Sequence, residues 1–129
     1  MKQDQLSGAA ADEWGRKTAR AIASELGAEM KSATSNEATF NGKNIVIKCA
    51  APATDSVGVT FKMLDRLDSV VAAFQRDDGS FELWRLPADK FRREMRDTRS
   101  TGASAGKVGL VRKDVFEKHG ELITRVTLY

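Results

Sequence analysis

Apolar positions along this chain change period several times, and each change marks an element. Over residues 9–30, Trp14, Thr18, Ile22 and Leu26 recur at i, i+4, i+8 and i+12, the stripe of a helix with one buried side. Asp12 with Arg16, and Glu13 with Lys17, stand at i,i+4 spacing and support its exposed side. Gly27 follows the last stripe residue as a cap or an early end. Across residues 35–50 the period drops to two. Ala38, Phe40, Ile45, Ile47 and Cys49 then share one face, and Glu37, Thr39, Val46 and Lys48 the other. Asn41-Gly42 tolerates the positive φ of a tight turn, so the segment reads as a β-hairpin. With those two residues as the loop, Glu37 pairs with Val46; with the turn centred on Gly42-Lys43, Glu37 faces Lys48 directly. Either register leaves one face to pack and the other to carry chemistry or water.

Further along, Pro52, Asp55 and Gly58 mark a loop, followed by a short strand near 57–61 and a turn of helix near 62–67. Residues 69–74, SVVAAF, form an almost unbroken apolar run of strand length, which predicts a central strand buried on both faces. Asp77-Asp78-Gly79 turns the chain into a partner strand over 81–86. Pro87 stops that strand and opens a helix, LPADKFRREMRDT, with Phe91 and Met95 at i,i+4. RSTGASAG at 99–106 reads as an exposed, flexible loop, and 108–111 and 122–128 read as strands around a connection holding 114–120. The order predicts an α+β fold: an N-terminal helix packed on a mixed, mostly antiparallel sheet, with a second helix after the central strands.

Composition narrows the setting. At 129 residues and 41% hydrophobic content, one domain spanning 1–129 holds a core of its own without disulfides or a structural metal. The lone cysteine, Cys49, has no internal partner and a strand position that predicts burial, which points to a reducing, cytoplasmic compartment. The N-terminal MKQDQLSGAA lacks the apolar core of a signal peptide, and no run approaches the ~18 apolar residues of a membrane span. Net charge is +3, but residues 85–113 hold nine basic side chains against three acidic ones, a local excess of +6. Arg92, Arg93, Arg96, Arg99, Lys107, Arg112 and Lys113 in this segment are candidate contacts to an anionic partner, DNA or RNA. If the helix continues far enough, Arg92, Arg96 and Arg99 project together and position a backbone without reading sequence. A solvated charged surface is the alternative.

A helix, then a glycine-turn hairpin whose second strand ends in an apolar-apolar-lysine step, then a buried strand, is similar to the core of the PD-(D/E)xK nuclease-like superfamily. The resemblance covers roughly residues 9–74. It implies a restriction-endonuclease-like core and hydrolysis of phosphodiesters aided by Mg²⁺ or Mn²⁺. Carried onto this chain, it gives Glu37 as the first acid and metal ligand, Lys48 as the catalytic lysine, and Glu25 or Glu29 on the preceding helix as an auxiliary metal ligand. The chain departs from the pattern at Val46, where the second carboxylate belongs. A divalent metal with oxygen ligands then needs an acid from elsewhere, Asp55 or a helix glutamate. Without one, Glu37 and Lys48 reduce to a cross-strand ion pair.

Other motifs add little. Gly102 to Lys107 lacks the glycine spacing, the Ser/Thr and the helix of a phosphate-binding loop. His119, flanked by Lys118 and Gly120, reads as a turn residue with no nucleophile spaced for a dyad, and so as a surface residue. Trp84 is a packed sheet residue or a stacking platform. The sequence therefore leaves three readings: a metal-dependent nuclease, a non-enzymatic nucleic-acid-binding module on the same scaffold, and a protein-binding module.

Overall fold

The computed structural model describes residues 8–32, 35–97 and 108–128. Helix α1 (Gly8–Leu26) ends where the Ala28 N–H donates back to the Ala23 carbonyl. Strands β1 (Glu29–Met30), β2 (Glu37–Phe40) and β3 (Lys43–Ala50) follow. Asn41 (φ 52°) and Gly42 (φ 76°) both take the left-handed conformation that a two-residue hairpin loop demands. That turn selects the first of the two registers: Phe40 faces Lys43 and Glu37 faces Val46. Lys48 is therefore not opposite Glu37.

The chain then forms β4 (Ser56–Thr60), the short helix α2 (Phe61–Leu64) and β5 (Ser69–Gln75). Thr60 caps α2, its Oγ1 accepting from the Met63 N–H at 3.1 Å. β5 lies parallel to β3, so β4 and α2 form the crossover that parallel neighbours require. Strand β6 (Phe81–Pro87), helix α3 (Ala88–Glu94), β7 (Arg96–Asp97), β8 (Val108–Arg112), helix α4 (Lys113–His119) and β9 (Glu121–Val126) complete the order. The main sheet runs β1-β2-β3-β5-β6-β9, antiparallel apart from the β3–β5 pair, and a small antiparallel sheet runs β4-β8-β7. The mixed α+β architecture is thus the one expected. No helix among the described residues is long and apolar enough to cross a membrane.

Both faces of the main sheet are covered. On one, α1 contributes Ala19, Ile22 and Ala23 against Ala38, Ile45, Ile47, Val71 and Leu83. On the other, Val46, Val70, Phe74 and Leu86 meet the small sheet and α2, α3 and α4. Six of the seven β5 residues are buried, as an uninterrupted apolar run requires. On the hairpin face expected to carry chemistry or water, Val46 is 0% exposed, while Glu37, Thr39 and Lys48 are half-buried. Phe116 of α4 locks this side, edge-on to Phe74 at 5.7 Å and to Phe91 at 6.3 Å.

Two local expectations are corrected. The helix after Pro87 stops at Glu94, because Met95 turns extended (ψ 152°) and Arg96–Asp97 pairs with β8. Arg92 and Arg96 therefore do not form a helical stripe. The connection between the last two strands is a helix, α4, with His119 exposed at its end.

At the α4–β9 junction a Cβ on Gly120 would lie 2.6 Å from the Phe116 carbonyl oxygen and 2.7 Å from that of Arg85. Gly120→Ala is expected to destabilise the fold by about 1–3 kcal/mol in urea denaturation. Gly15, inside α1 with nothing within 4 Å of its missing Cβ, is the matched control, and Gly15→Ala should stabilise by about 0.5–1 kcal/mol.

Candidate functional site

The hairpin carboxylate is held by an arginine that the sequence did not single out. The connection from α2 to β5 docks on the start of β3 through three hydrogen bonds. The Asn44 N–H donates to Asp68 Oδ2 at 2.8 Å, the Asp68 N–H to the Asn44 carbonyl at 2.8 Å, and Asn44 Nδ2 to the Arg66 carbonyl at 3.4 Å. This fixes the Arg66 backbone beside the hairpin. Its side chain reaches Glu37 as a fork, Nε donating to Oε1 at 3.1 Å and Nη2 to Oε2 at 2.7 Å. Ser35 braces the acid: its Oγ accepts from the Glu37 N–H at 3.0 Å and donates to Oε2 at 3.4 Å. The Glu37 side chain is 13% exposed and that of Arg66 53%.

The hydrogen bonds from Arg66 hold the Glu37 carboxyl below its ordinary value. Partial burial opposes them, while the Arg66 charge, the Ser35 hydroxyl and the Lys31 charge add to them. Lys31 arrives because β1 continues alongside β2, its N–H donating to the Glu37 carbonyl at 2.9 Å.

The other expected site residues are dispersed. Lys48 is half-buried on the same face, diagonal to Glu37 and in register with Ala72. Glu25 is exposed on α1, which covers the opposite face of the sheet, so it does not join Glu37 as a metal ligand. Glu29 is exposed and lies in β1, not in the helix. Among the described residues no three His, Cys, Asp or Glu side chains converge as a cation site would need. A divalent metal therefore does not fit these residues: both Glu37 oxygens receive N–H groups from Arg66, and the facing position is a buried valine.

The basic segment divides. Arg92 donates through Nη2 to Asp65 Oδ1 at 2.5 Å, Arg85 pairs with Glu121, and Arg112 lies 3.7 Å from Asp114. Lys113 is half-buried with its ammonium 5.6 Å from the centre of the Phe74 ring. Arg93 and Arg96 are exposed and carry no acid partner among the described residues. Arg99, Lys107 and the loop expected at 99–106 lie outside the described residues. Arg96 and Arg112 share the outer face of the small sheet, since Arg96 pairs with Leu110, two residues from Arg112, while Val57, Val59 and Val111 point into the core. Asp65, next to Arg66 in sequence, ties α3 to the end of α2 through Arg92.

Sequence reasoning also missed Glu82, only 6% exposed, which accepts from Arg76 at 2.5 Å and Trp84 Nε1 at 3.3 Å and pairs with Arg125 at 3.3 Å. Burial raises its carboxyl, but the Trp84 and Arg76 hydrogen bonds and the charges of Lys113 and Arg76 outweigh that and hold it low. Trp84 thus packs against the core and spends its N–H inside the protein. Cys49 is half-buried beside the α1-side core, and desolvation pushes its thiol up to about 12, which makes it a poor nucleophile. Neither Arg66 nor Glu82 carries a local motif; Arg66 meets its partner across 29 residues.

No protein-family model matches the chain, and no curated protein does. Among solved structures, Hjc, a Holliday junction resolvase from the archaeal hyperthermophile Archaeoglobus fulgidus, is similar with a TM-score of 0.47 and 12% sequence identity, over 85% of this chain and 92% of that one.

The Glu37–Arg66 pair sets a pH dependence of known sign. A carboxyl depressed in the folded state contributes its full stabilisation above its unfolded value and loses it as pH falls through the folded value. Wild type should therefore be more stable than Glu37→Gln at neutral pH, with the gap closing as pH drops below about 4.5. Denaturant melts of both proteins across that range read the effect, and a gap that stays constant would exclude the charge as its source.

Proposed function

We propose that this chain is a nucleic-acid-binding module that holds DNA or RNA without cleaving it at the hairpin. The observation that carries this reading is the fork from Arg66 to Glu37 beside the buried Val46: the carboxylate that would hold a metal is bound to a protein cation. Two protein cations, Arg66 and Lys31, act on the Glu37 carboxylate. Such a site favours a phosphate over a divalent cation.

The surface beyond it agrees in sign. Exposed Arg93 and Arg96 stand free of acids among the described residues, and Arg92 and Arg112 lie beside them with part of each side chain open to solvent. Arginines in this arrangement bind backbone phosphates and release counterions, which gives affinity without sequence readout.

A time course with labelled single- and double-stranded DNA and RNA, in Mg²⁺, Mn²⁺ or EDTA, tests the reading. Retention is expected in all three conditions, with no cleavage products. Replacing Arg93 and Arg96 together by Ala should weaken binding and reduce the slope of log affinity against log salt by about one per residue. Metal-dependent cleavage that disappears in Lys48→Ala would overturn the proposal and make the hairpin a hydrolytic site. Absence of retention on any nucleic acid would move the assignment to a protein partner.

A further inference from the structure

The guanidinium of Arg66 has more hydrogen-bonding capacity than Glu37 uses. Glu37 occupies the side-on edge formed by Nε and Nη2. Among the described residues nothing is bonded to the end-on edge between Nη1 and Nη2, whose pair of N–H groups matches in geometry two oxygens of a phosphate. Just over half of the Arg66 side chain is exposed.

We infer that Arg66 is a phosphate-contacting residue for the nucleic-acid backbone and that Glu37 is the positioning residue that aims it. This rests on the nucleic-acid reading above and extends it to a specific contact. Both ends of the arrangement are fixed before any ligand arrives. Glu37 is set by strand pairing and by Ser35, and the Arg66 backbone is anchored by Asn44. A long side chain held in its binding geometry loses less entropy on association than a free one. Arg66 also lies in sequence next to Asp65, whose carboxylate takes Arg92 of α3.

The sign of the Glu37 effect separates positioning from simple electrostatics. If Glu37 acted only as a negative charge near an anionic ligand, removing that charge would tighten binding. If it aims Arg66, removing it lets the guanidinium swing and weakens binding.

The experiment is a fluorescence-anisotropy titration of fluorescein-labelled single-stranded and duplex DNA over a series of salt concentrations. It compares wild type, Arg66→Ala, Arg66→Lys and Glu37→Gln, each shown to be folded by thermal melting. Arg66→Ala should lower affinity about tenfold and reduce the salt slope by about one. Arg66→Lys should keep the slope, because the charge remains, and still bind more weakly, because the fork is gone. Glu37→Gln should weaken binding about threefold or more, even though it removes a negative charge. Wild-type affinity and slope in Arg66→Ala, or tighter binding by Glu37→Gln, would overturn the inference while leaving the nucleic-acid reading intact. Failure of the wild type to bind would instead defeat that reading itself. A calorimetric titration with Mn²⁺ is the second arm: no Glu37-dependent heat is expected, and saturable binding lost in Glu37→Gln would overturn the inference by showing that a metal displaces Arg66.

Discussion

β3 and β5 lie side by side and parallel at the centre of the sheet, and that pairing dictates most of what surrounds them. Parallel neighbours cannot be joined by a tight turn, so the chain must leave the end of β3, cross one face and return to the start of β5. Here the crossover is β4 and α2, and its return is secured where the Asn44 and Asp68 backbones meet. Three features follow from this path. The face carrying Val46 and Val70 is covered, β4 becomes an edge on which β8 and β7 build a second sheet, and Arg66 arrives beside the hairpin.

The charged side chains follow a recurring arrangement in which an acid holds an arginine. Glu37 holds Arg66, Asp65 holds Arg92, and buried Glu82 holds Arg76 and Arg125. The local excess of +6 over residues 85–113 is thereby partly compensated by acids from other segments, as Asp65 and Glu121 show. Exposed pairs of this kind add little to stability because water screens them. What they do supply is orientation, since each acid fixes an arginine that would otherwise sample many rotamers.

The parts of the fold readable from sequence were those set by local pattern. The Asn41-Gly42 turn, the amphipathic stripe of α1 and the unbroken run of β5 each follow from backbone preference or from burial of a periodic face. The parts that were not readable depend on partners distant along the chain. Arg96 looks helical when Phe91 and Met95 are counted at i,i+4, yet its backbone is claimed by β8. The hairpin face with Glu37 and Val46 alternates as a half-exposed strand does, but the crossover lies over it. Arg66 sits between buried Leu64 and Leu67 with no motif to mark it, and only the return path of the crossover brings it to Glu37.

Val46 and Arg66 are best understood as one electrostatic unit. A carboxylate at position 46 would stand directly opposite Glu37 at a site with no solvent exposure, where two like charges would each lack hydration. Holding both ionised would take at least two positive charges at short range, the role that a divalent metal fills in a site with paired acids. With valine in place there is one negative charge, and one guanidinium satisfies both of its oxygens. The apolar side chain extends the core under the pair, and the arginine closes over the acid that remains. Adding an acid without removing the arginine, or removing the arginine without adding a cation, would leave a charge uncompensated at the edge of the core. The residues at this hairpin are therefore mutually consistent: one acid, one guanidinium that satisfies both of its oxygens, and an apolar neighbour at the facing position.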